Sequence, residues 1–336
     1  MNASAGYAVA AGDAAATAAA AAAFDPAKTL GGLEVGVLLA YMLFGVTSTQ
    51  AYRYFTSYPN DSLKLKLWVT LVWLCEAAHV ATVGQNLYVV TIVYWGHPER
   101  LGEVSVAMLV SILFTGIIAA LVQSFFAVRI YNLFRTKPRH RVVGTFLLVL
   151  ILLIAAAQPT FSIVPFIGSP SIITIEQQLS WVVYTVLGLS AVNDLLITSA
   201  IVWHLAGERG HAQTRTVVVL DKLIQWTIET GLVTSAAAIL ALVLFTTSPL
   251  SFGWLAVEVV IAKLYSNSLL ASLNSRTTLR ALRQTAADTS GARSRTRTYP
   301  LQVNVATDVE ISKGGLGSEM EMFSPTESIP YSKNQG

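Results

Sequence analysis

Hydrophobic residues gather along the chain into seven long stretches, separated by short segments that are polar or contain proline. Each stretch has about the 20 residues that an α-helix needs to cross the hydrocarbon core of a bilayer. The expected spans are Leu30–Tyr52, Leu65–Val90, Val104–Tyr131, Val142–Phe161, Leu179–Leu205, Leu223–Phe245 and Phe252–Leu273. The pattern predicts an all-α polytopic bundle of seven transmembrane helices. The fourth span is the least regular, because Pro159 and Pro165 interrupt its far end.

Positive charge is distributed unequally between the two sides of the predicted bundle. All of the 22 Lys and Arg residues except Lys28, Arg100 and Lys263 fall in the first, third and fifth connectors or in the C-terminal tail. Connectors rich in Lys and Arg stay in the cytoplasm. We therefore expect the N-terminus outside and the C-terminus in the cytoplasm, in a multi-pass protein of the plasma membrane rather than of internal membranes.

Composition agrees with lipid as the main solvent of the chain. Only 12% of the residues are charged, and the mean hydropathy is +0.57, whereas soluble domains carry about 25% charged residues. The single cysteine, Cys75, lies inside the second span, so an internal disulfide is excluded. The basic residues form no nucleic-acid patch, and we expect no nucleic-acid partner.

Three regions follow from the pattern. Residues 1–28 form an Ala-rich, low-complexity outer tail, residues 29–274 form the transmembrane domain, and residues 275–336 form a tail that is first basic and then polar. The polar part has too few apolar residues to build a core and is expected to be disordered. The fourth connector, about residues 162–178, is expected either to cover an outer cavity as a lid or to rest on lipid headgroups.

The beginning of the C-terminal tail has the features of a membrane-surface segment. Residues Ser275–Thr285 are expected to form a short helix on the inner leaflet, where Arg276, Arg280 and Arg283 would attract anionic lipids. Further along, Thr296, Thr298 and Ser324 lie in basic or proline-adjacent contexts that resemble kinase sites. These contexts leave regulation of the tail by phosphorylation open.

Three ionisable residues are predicted to lie near the middle of the membrane. They are Glu76 in span two, Asp194 in span five and Lys263 in span seven. Charged groups at this depth are costly, so they are usually paired or face a polar cavity. His79 lies three residues after Glu76, and Asn267 lies four residues after Lys263, so each shares a helix face with its neighbour.

Two interpretations of these residues remain open. In the first, Lys263 pairs with Glu76 or with Asp194 beside a polar cavity that binds a ligand, an ion or a proton. In the second, the same groups form a buried ion pair and a hydrogen-bond network that only fix helix packing. The candidate intramembrane polar site comprises Glu76, His79, Asp194, Lys263 and Asn267. Two carboxylates and one lysine leave one carboxylate that is neutral unless His79 is charged.

Several motifs resemble one family of membrane proteins. They are Tyr58-Pro59-Asn60-Asp61-Ser62, then Trp73, Glu76 and His79, then Val122-Gln123-Ser124-Phe125-Phe126, and the run from Lys263 to Arg276. Together they resemble a fungal, mushroom-type family of seven-helix integral membrane proteins, built around a C-terminal domain of unknown function over the last three spans. The resemblance covers about residues 29–283 and implies the topology, but no activity, ligand or catalytic residue.

Three functions are compatible with this sequence. The first is a receptor-like or sensor-type protein whose polar cavity takes a small-molecule ligand, and the second is a proton-coupled small-molecule transporter. The third, a retinal-binding protein, rests on Lys263 alone and lacks an acidic partner within span three. Motifs for metal ligation, a nucleophile elbow or a phosphate-binding loop are missing from the sequence. We therefore expect no enzymatic activity and no cofactor.

Overall fold

The chain forms an all-helical bundle in a computed structural model that describes residues 26–135, 138–167, 178–210, 214–248 and 252–295. Seven helices are long and apolar enough to cross a membrane. They are α1 (Gly31–Ser57), α2 (Leu63–Tyr88), α3 (Val106–Phe134), α4 (Pro138–Ile167), α5 (Ser180–Arg209), α6 (Thr214–Thr247) and α7 (Gly253–Arg295). The described residues contain no β-strand. The seven-helix, multi-pass architecture predicted from hydropathy is confirmed.

All seven helices extend beyond the apolar stretches that predicted them, at one end or at both. A π-helical turn, Val89–Val93, continues α2, and α4 runs through both Pro159 and Pro165 to Ile167. Such prolines are tolerated in membrane helices because neighbouring helices compensate for the lost backbone bond. The last helix does not stop near residue 274 but continues to Arg295, since the residues after 274 are mostly good helix formers. The short helix expected at Ser275–Thr285 is part of this continuous helix.

Helices α3 and α7 lie at the centre of the bundle. Helix α3 contacts α2, α4 and α5, and its Gly116 lies against Pro159 of α4, where a Cβ atom would come within 2.7 Å of the proline Cα. The absence of a side chain at Gly116 therefore allows α4 to approach α3 at its proline. Large apolar side chains such as Ile118 and Leu269 are completely buried between these helices.

Contacts between helix ends define the two ends of the bundle. At one end, Tyr58 after α1 contacts Asn274 of α7, and Arg129 of α3 contacts Ser272 of α7. We call this the basic end, because the first, third and fifth connectors lie there, and these connectors and the C-terminal tail together contain most of the Lys and Arg residues. At the opposite end, the backbone N–H of Phe252 donates to the carbonyl of Thr29 over 3.3 Å.

Some sequence predictions fall on residues outside the described ranges. These are the outer tail up to residue 25, residues 168–177 of the fourth connector, and the tail from residue 296, with Thr296, Thr298 and Ser324. The chain divides into a unit of residues 1–291 and a second unit of residues 292–336. Within the second unit, residues 292–295 are helical.

The close approach of α1 to α7 gives a direct test of the packing. A Cβ atom at Gly36 would lie 2.6 Å from the Cβ of Ala256 and 2.7 Å from its Cα, whereas one at Gly45 on the same helix would meet nothing within 4 Å. We expect Gly36→Ala to destabilise the protein by about 1–3 kcal/mol through overpacking. Gly45→Ala should be neutral or slightly stabilising, because alanine favours the helix. Thermal unfolding in detergent measures both, and equal midpoints would contradict the packing.

Candidate functional site

The amine of Lys263 forms an ion pair with the carboxylate of Glu76 at the centre of the bundle. Its Nζ contacts Glu76 Oε2 and donates a 3.3 Å hydrogen bond to the backbone carbonyl of Glu76. Both side chains have no solvent-accessible surface, and the amine also lies 5.7 Å from the centre of the Phe44 ring. Glu76 Oε1 accepts no hydrogen bond from the described residues. The pair joins α2 to α7.

His79 and Asn267 lie beside this ion pair but have different partners. The Nε2 atom of His79 lies 3.0 Å from Thr115 Oγ1 on α3, while its Nδ1 has no partner among the described residues. The amide of Asn267 donates to the carbonyl of Leu43 over 3.2 Å and to that of Lys263 over 2.8 Å. His79 therefore links α2 to α3, and Asn267 links α7 to α1.

Asp194 belongs to a separate buried network that joins α3, α5 and α7. The hydroxyl of Tyr265 donates to Asp194 Oδ2 over 2.8 Å, and Gln123 Nε2 donates to Oδ1 over 3.3 Å. Ser190 Oγ lies 2.8 Å from the Tyr265 hydroxyl, and Gln158 donates to Gln123 Oε1 over 2.8 Å. Among the described residues, no Lys, Arg or His forms an ion pair with Asp194. Its carboxyl group depends on neutral hydrogen-bond donors alone.

A cavity of about 420 Å³ extends from this network to the basic end of the bundle, between α1, α3, α5, α6 and α7. We call it the vestibule. Asp194, Gln123 and Tyr265 line its deep end, near the middle of the bundle. The exposed residues Arg53 and Thr278 line its mouth, at the surface of the basic end. The volume lies within the range of about 300–1,000 Å³ that is typical of small-molecule sites.

Arg129 is the most deeply placed cation of the vestibule. Its Nη1 donates to Ser272 Oγ over 2.6 Å, and among the described residues no carboxylate forms an ion pair with it. Gln123 lies six residues earlier on α3, so about 9 Å along the helix axis separates the level of Asp194 from that of Arg129. The vestibule thus contains a carboxyl group at one level and a guanidinium group at another, and neither has an opposite charge as partner.

The predicted site is therefore divided into two parts. The structure brings Glu76 and Lys263 into contact, with His79 and Asn267 nearby, and it places Asp194 in the other network and in the vestibule. Lys263 pairs with Glu76 and not with Asp194. Hydropathy gave the depth of these residues but not which helix faces meet.

Sequence reasoning missed several polar residues of the interior. Gln123 and Gln158 are amides within apolar spans, and a search for amides as well as charges would have found them. Tyr265 was part of a motif but received no role. Glu258 received no role from the sequence either, yet it lines three cavities inside the bundle.

A second ion pair connects the first connector to α7 at the basic end. Arg276 donates to both carboxylate oxygens of Asp61, over 3.2 and 2.6 Å, and its guanidinium lies 4.0 Å from the centre of the Tyr58 ring. The Tyr58 hydroxyl donates to the carbonyl of Asn274 and accepts from the N–H of Thr277. We call this group the clasp. The hydrogen bonds from Arg276 lower the pKa of the Asp61 carboxyl below its ordinary value.

These features define the chain as a multi-pass membrane protein with a polar interior and a cavity at its basic end. The model of a family of unknown function (DUF6534) matches residues 190–278. This segment includes Asp194, Lys263, Tyr265 and Arg276, and it covers most of the last three spans, as the motif resemblance implied. No curated protein and no solved structure matches the chain.

The central ion pair predicts a specific pattern of rescue. Removal of one charge leaves the other buried without a partner, at a cost of about 3–5 kcal/mol. We expect Glu76→Gln and Lys263→Met each to lower the yield of folded protein, measured by gel filtration and thermal unfolding. The double variant Glu76→Gln/Lys263→Met should recover most of the loss. Asp194→Asn/Lys263→Met is the matched control and should recover nothing relative to Lys263→Met; recovery there would contradict the assigned pair.

The clasp predicts a pH-dependent contribution to stability. Because the pKa of Asp61 is lowered in the folded state, the unfolded chain takes up the proton first as the pH falls. The contribution is complete above the ordinary aspartate pKa of about 3.9 and is lost as the pH falls further. The unfolding midpoint of Asp61→Asn should lie below that of the wild type at neutral pH, and the two should converge in acid.

A matched control for the clasp lies at the opposite end of the bundle. The pair of Arg100 and Glu103 is exposed, and exposed ion pairs contribute only about 0–1 kcal/mol. Glu103→Gln should change the midpoint little at either pH. A difference between Asp61→Asn and the wild type that stays constant down to acid pH would argue against the clasp.

Proposed function

We propose that this protein is a receptor-like, sensor-type membrane protein that binds a small molecule in the vestibule. The observation that carries the proposal is the vestibule itself, a cavity of about 420 Å³ that reaches from Asp194 at mid-helix to Arg53 at the basic end. A cavity of this size with a few convergent polar groups is the usual form of a ligand site. The role is binding rather than catalysis.

The charges of the vestibule favour a ligand that has both a positive and a negative group. A ligand ammonium group would supply the opposite charge that Asp194 lacks, with Tyr265 and Gln123 already holding the carboxyl in place. A ligand carboxylate would pair with Arg129, for which a planar fork of donors is well suited. Glu229 also lines the vestibule, but it is exposed and accepts a hydrogen bond from Gln225. Short zwitterions such as amino acids and dipeptides fit this arrangement.

The proposed orientation places the vestibule on the cytoplasmic side. The connectors at the basic end and the C-terminal tail together contain nearly all of the Lys and Arg residues, which favours a cytoplasmic position for that end and the plasma membrane as the location. Arg280 on the continuation of α7 would then meet anionic lipids of the inner leaflet, and the same prediction for Arg283 concerns a side chain outside the described part of the structure. Arg276 is less suited to this role, because its guanidinium is already paired with the carboxylate of Asp61.

A proton-coupled transporter is a second candidate, supported by one specific observation. The polar network continues beyond the end of the vestibule that Asp194 lines, because Ser190 and Tyr265 also line a further cavity on the other side of Asp194. A polar connection past the midplane is useful to a transporter and unnecessary for a simple binding pocket. The two candidates differ in whether the ligand crosses the membrane.

Retinal binding receives less support from the geometry. Lys263 is completely buried, and its amine contacts Glu76. Neither the vestibule nor the three cavities beside Glu258 have Lys263 among their lining residues. A Schiff base would require the ion pair to break and new space to open beside Phe44.

The proposed ligand class can be tested with matched probes. Thermal unfolding of the purified protein is measured with a panel of amino acids and dipeptides, each beside its N-acetylated form and its methyl ester. A ligand at 100 times its Kd stabilises the folded state by about 2.7 kcal/mol. We expect stabilisation by a zwitterion and by neither blocked form, because acetylation removes the partner of Asp194 and esterification removes the partner of Arg129.

Variants of the vestibule provide the control. Asp194→Asn and Arg129→Gln should each abolish the stabilisation, and Glu103→Gln at the opposite end should leave it unchanged. The proposal fails if no zwitterion of the panel stabilises the wild type, or if the stabilisation survives both vestibule variants. Uptake of the stabilising compound into liposomes with a pH gradient would assign the transporter function, and binding without uptake would assign the sensor.

A further inference from the structure

Glu258 is a partly exposed carboxyl group that lines cavities inside the bundle, and the proposed ligand site assigns it no role. It lies on α7, five residues after the helix begins at Gly253, and therefore in the half of the bundle away from the vestibule. Among the described residues it forms no hydrogen bond and no ion pair. A carboxyl group inside a membrane bundle without such partners marks a functional site by default.

Glu258 lies where three small cavities meet. One of about 40 Å³ lies between α3, α4, α5 and α7 and is lined by Phe161, Ser162 and Trp254. A second, of about 20 Å³, extends toward α2 and is lined by Asn86, Ser111 and Thr115. The third, also about 20 Å³, extends toward the middle of the bundle. Each has enough volume for a water molecule, which requires about 10–15 Å³ and polar partners.

The third cavity connects Glu258 to the Asp194 network. Gln158, Ser190 and Tyr265 line it together with Glu258. Glu258 and Tyr265 are seven residues apart on α7, so they lie on the same face, about 10 Å apart along the axis. The Tyr265 hydroxyl lies 2.8 Å from both Ser190 Oγ and Asp194 Oδ2. Water in this cavity would connect Glu258 with Ser190 and Tyr265, and through them with Asp194, whose carboxyl group lines the vestibule.

The surroundings of Glu258 contain few other titratable groups. His79 of α2 does not line these cavities itself, but it contacts Thr115, which lines one of them. Helix α1 contributes the apolar residues Leu33 and Val37. Helices α3, α4 and α5 contribute hydroxyl, amide and apolar groups, and α6 contributes Ala238. Among the residues that the structure describes, no other charged residue lines these three cavities.

We propose that Glu258 is the proton-binding group at the outer end of a proton pathway that runs through Ser190 and Tyr265 to Asp194 and opens into the vestibule. The phenol of Tyr265 passes its proton to Asp194 Oδ2 while its oxygen accepts a proton from Ser190 Oγ. Ser190 is reprotonated through the cavity water from Glu258, which takes a proton from the outer side. One proton moves per cycle, each hydroxyl is restored, and Asp194 releases its proton to water in the vestibule.

This pathway does not depend on ligand binding in the vestibule, and it can be measured without a ligand. The full-length protein is reconstituted in liposomes that contain a pH-sensitive dye, and a potassium diffusion potential drives protons inward. We expect acidification faster than in protein-free liposomes for the wild type. Glu258→Gln and Tyr265→Phe should reduce it to the protein-free rate.

Glu34→Gln is the matched control, because Glu34 is an exposed carboxylate on α1 at the same end of the bundle. It should retain the wild-type rate. Infrared difference spectra of the wild type between acid and alkaline pH add a readout that does not rely on variants which fold poorly. They should contain a buried carboxylic acid band, and its loss in Glu258→Gln would assign it.

The outcomes separate this pathway from the ligand site. Acidification by the wild type at the protein-free rate overturns the pathway, and so does equal behaviour of Glu258→Gln and Glu34→Gln. A wild type that conducts protons but binds no zwitterion would retain the pathway and reject the proposed ligand. A protein that binds a zwitterion without proton flux would do the reverse.

Discussion

The ion pair between Glu76 and Lys263 is the interaction that sets the rotation of α7. Neither charge can remain alone in a bilayer, so the face of α7 that contains Lys263 must point at α2. Asn267 and Asn274 lie on the same face and reach carbonyl groups of α1. Tyr265 is two residues from Lys263, about 200° around the helix, and therefore points the opposite way, at Asp194. A buried ion pair is weak evidence for stability, but it can specify one arrangement among many.

Because of this rotation, α7 has two polar faces with different surroundings. The face with Lys263, Asn267 and Asn274 is used in contacts that hold α7 to α1 and α2. The face with Glu258 and Tyr265 borders cavities. The family match over residues 190–278 contains both faces of α7 and also Asp194, but the partner Glu76 lies outside it. The matched segment therefore supplies Asp194 and Lys263 of the polar interior, and α2 and α3 supply their partners Glu76 and Gln123.

The sequence was sufficient to predict the architecture because membrane insertion depends on the length and polarity of each stretch, which are local properties. It was not sufficient to predict the partner of Lys263, since Glu76 and Asp194 are at similar depth and only the rotation of three helices decides between them. The surroundings of Glu258 could not be predicted for a related reason. Its position along the helix is a local property, whereas the packing of α3, α4 and α5 against α7 decides that it borders internal cavities. The close approach of α4 to α3 at Pro159 depends on the absence of a side chain at Gly116, and hydropathy contains no such information.

The clasp has a mechanical consequence for the last helix. Asp61 and Tyr58 hold α7 at Arg276, and the helix continues without interruption beyond that point. The stretch from Arg276 to Gly291 corresponds to about 22 Å of helix. A rigid rod held at an intermediate point acts as a lever. Tyr265 lies about 16 Å from Arg276 on the other side of the clasp, so a tilt of α7 by a few degrees would move Tyr265 and Gly291 by about 1–2 Å each, in opposite directions.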